Sequence, residues 1–116
     1  MKNHYDIVPK NLDEAIEIII KDNWENDDFF KVLKMSEEKA IGTLHFTTGM
    51  NLRNTWGLWS EESPLYKYFK NLGIFHADDM SGIILTSVHR KMNNKPINLE
   101  GQIKYYQDYW KKYKEN

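Results

Sequence analysis

The chain has 116 residues, 41% hydrophobic and 28% charged, and its four Trp, seven Tyr and five Phe supply enough buriable area for one soluble domain without a metal or disulfide staple. It contains no cysteine, which excludes disulfides, thiolate zinc sites and cysteine nucleophiles and suits a cytoplasmic location. The formal net charge is −1 and the pI about 6.4, so neither nucleic acid nor a membrane surface is an expected partner.

That charge is unevenly placed. Residues 1–38 hold ten acids against five lysines, whereas residues 39–116 hold eleven bases against seven acids. The one basic cluster, Lys111, Lys112 and Lys114, fits a solvated helix C-terminus, where cations suit the helix dipole. The N-terminal stretch MKNHYDIVPKN carries no apolar leader core, and no apolar run is long enough to span a bilayer.

Helical periodicity runs almost throughout. Asn11 with Glu14 three residues later marks a capped start, and Leu12, Ala15, Ile16, Ile19 and Ile20 form one apolar face over about 12–22. A second helix is expected after Asn26, with Asp27 and Asp28 in its first turn and Phe29, Phe30 and Leu33 inward. Ser36 can cap a third, with Ala40, Ile41, Leu44 and His45 on one face and Gly42 and Gly49 weakening its far end. The segment NLRNTWGLWSEES reads as a loop or helix end that holds Trp56 and Trp59 against the core. Ser63-Pro64 starts the next helix and Gly73 stops it.

A helix over about 77–92 follows, with Met80, Ile83, Ile84, Ser87 and Val88 on one side, ended by Asn93-Asn94 and Pro96. Asn98 caps the last helix, whose Leu99, Ile103, Tyr106, Trp110 and Tyr113 fall at helical spacing. The expected fold is therefore all-α, a single domain over 1–116 of five or six short helices. The expected buried residues are Leu12, Ile16, Ile19, Phe30, Leu44, Phe69, Ile83, Ile84 and Ile103.

Three blocks stand out: His45-Phe46-Thr47-Thr48-Gly49, Arg53-Asn54-Thr55-Trp56-Gly57-Leu58-Trp59, and His76-Ala77-Asp78-Asp79-Met80-Ser81. With Val8-Pro9 and the helix after it, they resemble a bacterial family, domain of unknown function 6794, over about 8–95, leaving the helix at about 98–113 as an extension. The resemblance implies a fold and a candidate site but no activity. It departs at Ala77, where the family usually has proline. A proline there would be the first helical residue, which implies that His76 is the N-cap and that Asp79, at the third helical position, reaches back to it.

The candidate functional residues are His45, Arg53, Asn54, Trp56, Trp59, His76, Asp78 and Asp79. If they converge, Arg53 can clamp a phosphate or carboxylate while an indole stacks on the ligand, or a histidine oriented by an aspartate can run acid–base chemistry. The competing expectation is structural: Arg53 pairs with Asp78 or Asp79 and ties the tryptophan segment to the next helix. No metal is expected, because His4, His45, His76 and His89 are scattered without HxxxH spacing. No cofactor is expected either, because G-x-G-x-x-G, Walker and G-x-S-x-G patterns are absent. The functional expectation is a small non-enzymatic binding protein of bacterial or phage type, an immunity factor or inhibitor with a protein partner. The alternative is a small-molecule-binding or hydrolase-like domain using His45, Arg53, His76 and Asp79.

Overall fold

Short polar side chains set the helix boundaries in the computed structural model, which describes residues 7–114. Asn11 opens α1 (Leu12–Asp22) by accepting the Glu14 amide at 2.9 Å. The Glu14 carboxylate answers at the Lys10 amide (3.2 Å), one residue earlier than the reciprocal bond of a capping box. Asn26 accepts the amides of Asp28 and Phe29 at the start of α2 (Asp27–Leu33), and Ser36 accepts that of Lys39 at the start of α3 (Glu37–Leu44).

The weakening expected at Gly49 does not end the helix. After α3 the chain runs through one π-helical turn, His45–Gly49, straight into α4 (Met50–Thr55), so the segment read as a loop or helix end is helix over its first residues, 51–55. Ser63 and Pro64 then open α5 (Pro64–Asn71), and Gly73 at φ 86° turns the chain toward α6 (Ala77–Met92). Asn98 accepts the Gly101 amide at 3.2 Å and starts α7 (Leu99–Lys114). With α3, the π-turn and α4 forming one rod, the described residues make six helices, 71% helical with no strand. The fold is all-α.

The core lies around α6, which meets α1, α3, the π-turn, α4, α5 and α7. Its Met80, Ile83, Ile84, Leu85 and Val88 are buried with Leu12, Ile16 and Ile19 of α1, Leu52 of α4 and Leu65 and Phe69 of α5. Each such side chain contributes about 1.5–3 kcal/mol of apolar transfer. The C-terminal end of α6 is tied down by polar contacts: Arg90 grips Glu37 at 2.6 and 3.2 Å and donates to Ile97 O at 2.6 Å, and His89 Nε2 donates to Met35 O at 2.9 Å.

Several burial expectations need correction. Phe30, Leu44 and Ile103 are only half-buried, because α2 and α7 lie at the margin of the core and Leu44 immediately precedes the π-turn. Tyr113 is exposed, because Trp110 is already level with His76, just before the first residue of α6, and α7 overshoots its neighbour. Trp59 is 64% exposed rather than packed on the core. Gly57, at φ 65°, turns the chain so that Leu58 enters the core and Trp59 leaves it. His4 and most of the N-terminal stretch read for a leader lie outside the described residues. Among the described residues no helix is long and apolar enough to cross a membrane.

Candidate functional site

Arg53 is the most buried of the charged candidates, with only 3% of its surface exposed. It sits on α4 one turn beyond the π-turn, and both ends of its guanidinium are engaged. Nη1 donates to Ser81 Oγ at 2.8 Å and Nη2 to the His45 carbonyl at 3.2 Å, while Nε lies 3.4 Å from Asp78 Oδ1. Ser81 in turn donates to Asp78 O at 3.0 Å. Gly49 makes the approach possible, since a Cβ there would lie 2.9 Å from Nη1. The tie from Arg53 to the start of α6 therefore exists through Asp78 and Ser81, not through Asp79. A guanidinium this enclosed has no open face for a phosphate.

The other candidates do not converge on Arg53. Trp56 is fully buried in the core. The His45 ring meets Phe46 edge-on at 4.8 Å, so His45 contributes its carbonyl and not its imidazole to the Arg53 cluster. Asn54 and Trp59 pair on the outside, with Trp59 Nε1 donating to Asn54 Oδ1 at 3.2 Å. Among the described residues no group of three or more His, Asp or Glu is placed to hold a metal ion.

His76 and Asp79 belong to a different place, where α6 begins and α7 ends. His76 has the extended backbone of an N-cap, but its side chain caps nothing. Its ring stacks instead on Trp110, with centroids 4.0 Å apart and planes at 23°. Trp110 Nε1 donates to Asp79 Oδ2 at 2.7 Å, so Asp79 does not reach back to the N-cap. Burial raises the Asp79 carboxyl above its usual range and the Asp78 charge adds to this, outweighing the Trp110 bond and the nearby His76, which both pull it down. Tyr106, close by, is pushed up to about 12 by its own burial and by the Asp79 charge.

Two recesses open on either side of the His76–Trp110 stack. One of about 670 Å³ is lined by Ile74, Phe75, Gln107 and Lys111, and the other, about 410 Å³, by Tyr105, Tyr106 and Tyr109. Gly82 lets the two helices approach, because a Cβ there would come within 2.6 Å of the Tyr106 hydroxyl. On the outer face of α7, Tyr105, Tyr109 and Tyr113 recur every four residues, 66%, 43% and 61% exposed, and Phe75 lies 58% exposed. The sequence reading placed Tyr106, Trp110 and Tyr113 on one stripe at helical spacing and passed over the second stripe of 105 and 109. The spacing of four was present in the sequence, but nothing local distinguished the inward aromatic face from the outward one.

Residues 8–92, most of the chain, match the family model described as Domain of unknown function (DUF6794), and the chain belongs to that family. No curated protein and no solved structure matches it. The match takes in α1 to α6, so the α7 half of the aromatic site lies outside the family segment.

Proposed function

We propose that this DUF6794 protein is a non-enzymatic binding module that acts by protein–protein contact through the α6–α7 aromatic face. The observation that carries this reading is the exposed ladder of Tyr105, Tyr109 and Tyr113 beside Trp110, His76 and Phe75. Large aromatic side chains dominate the energetics of protein interfaces, and tyrosine and tryptophan are enriched among their strongest contributors. Leaving so many of them in water costs free energy that a docking partner recovers. Small size, no cysteine and no cofactor motif support a cytoplasmic immunity factor or inhibitor of bacterial or phage type. The catalytic alternative has less support, because Arg53 is enclosed and neither it nor the His45 ring meets the His76–Asp79 pair.

The experiment is co-purification with the affinity-tagged full chain from its native host. A protein retained by the wild type and by Trp24→Ser, an exposed tryptophan between α1 and α2, should be lost from Tyr105→Ser/Tyr109→Ser. Equal retention by all three proteins would overturn the assignment of this face.

A further inference from the structure

The smaller recess beside the stack is walled by four aromatic residues, Tyr105, Tyr106, Tyr109 and Trp110, and is also lined by Asp78 and Asp79. The two carboxylates are in unlike situations. Asp78 is 61% exposed and has the Arg53 guanidinium beside it. Asp79 is half-buried, and its one direct bond is the neutral indole N–H of Trp110. Among the described residues no lysine or arginine pairs with Asp79. Lys111 lines the larger recess together with Asp79 but forms no ion pair with it.

A partly desolvated carboxylate with no lysine or arginine partner, only the His76 ring beside it, set among aromatic rings, is a receptor for an organic cation. The ring faces attract positive charge through their quadrupoles, the alkyl part of the cation packs on the rings, and the carboxylate supplies the counter-charge. A recess of about 410 Å³ accommodates an alkylammonium or alkylguanidinium group. Burial disfavours the ionised form of Asp79, and a cation paired with it would offset that cost.

We propose that this recess receives an organic cation, the lysine or arginine side chain of the docking protein; this rests on the reading of the aromatic face as the interface. The cation enters between the rings of Tyr105, Tyr109 and Trp110 and pairs with Asp79, so the partner presents a basic residue at the centre of its contact surface.

The test needs no partner. The isotope-labelled full chain is titrated with n-butylammonium, n-propylguanidinium and, as a neutral control, 1-pentanol, and followed by amide chemical shifts. Both cations should give saturable shifts confined to residues 76–82 and 104–111, with the stronger response assigning lysine or arginine, and the alcohol should give much smaller ones. Asp79→Asn, which keeps an oxygen for the Trp110 bond, should weaken cation binding about tenfold, and so should Tyr109→Ala at its exposed position. Saturation by neither cation, an alcohol response as strong as theirs, or undiminished binding by Asp79→Asn would each overturn the proposal. These probes fail or succeed independently of the co-purification, so an interface without a cation site and a cation site without this interface give different results.

Discussion

Arg53→Ala removes the tie between the α3–α4 rod and the start of α6, and its cost follows from where the side chain lies. With 3% of the residue exposed, losing the two methylenes beyond Cβ forfeits about 1.6 kcal/mol of apolar burial. The bonds to Ser81 Oγ and His45 O go as well, partly offset because the guanidinium no longer has to be desolvated. The net loss should be about 3–5 kcal/mol, the range for breaking a buried charged cluster from one side. Asp78→Ala should cost less, about 1–2 kcal/mol, because that carboxylate is itself 61% exposed although its loss leaves the buried guanidinium without its counter-charge. Ser81→Ala should fall between, at about 1–3 kcal/mol, since it strands a buried donor. Urea unfolding of the three single variants and the two doubles with Arg53→Ala should show coupling of about 1–2 kcal/mol to Ser81 and less to Asp78, with m unchanged. Asp78→Ala as costly as Arg53→Ala, or Arg53→Ala costing under about 1 kcal/mol, would refute the reasoning.

Gly49→Ala should destabilise by about 1–3 kcal/mol, because the new Cβ meets the held guanidinium; in the Arg53→Ala background the same change should be near neutral, read by urea midpoint. Asp79→Asn tests a sign. The Asp79 carboxyl is raised in the folded state, so its contribution favours folding below the ordinary carboxylate range and is lost as pH rises through the raised value. The asparagine variant should therefore match or exceed wild-type stability at neutral pH, and any advantage should vanish on acidification; a variant clearly less stable at pH 7 would contradict this. Trp56→Ala should lose about 3–5 kcal/mol. Trp59→Ala should stay within about 0.5 kcal/mol of wild type by thermal or urea unfolding.

Helix starts were the most legible part of the sequence, and the reason is that a cap is a contact over two or three residues. Asn11, Asn26, Ser36, Ser63 and Asn98 all accept the amides that their spacing predicts. The buried stripe of α1 was legible for a similar reason, since it depends on helical period alone. The run from Glu37 to Thr55 was not, because Gly49 looked like a helix breaker and its actual use is to clear space for a side chain four residues on. His76 was read as a cap from local spacing, but a contact with Trp110, far along the chain, outweighs the local option. The Arg53–Asp78 tie was foreseeable from residue chemistry. The separation of His45, Arg53 and His76 into unlike surroundings depends on how α4, α6 and α7 pack, which no single segment encodes.

The π-turn at His45–Gly49 fixes the length of its rod in whole residues. A π-helical turn takes up more residues than an α-helical one, so it acts as a built-in insertion. Deleting one residue there would let the rod close into plain α-helix with everything after it nearly in its present phase, because the π-turn absorbs that extra residue within one turn. Leu52, Arg53 and Trp56, which now face α6, would keep doing so, whereas a residue inserted into the rod would turn them by about 100° toward solvent. A single-residue insertion between Ser36 and Trp56 should therefore be lethal to folding, even where substitutions at the same exposed positions are harmless, whereas one deletion within the π-turn should be tolerated far better. Changes in chain length among relatives should collect in the connections instead, between α4 and α5 or between α6 and α7, where no side chain depends on the phase of a helix.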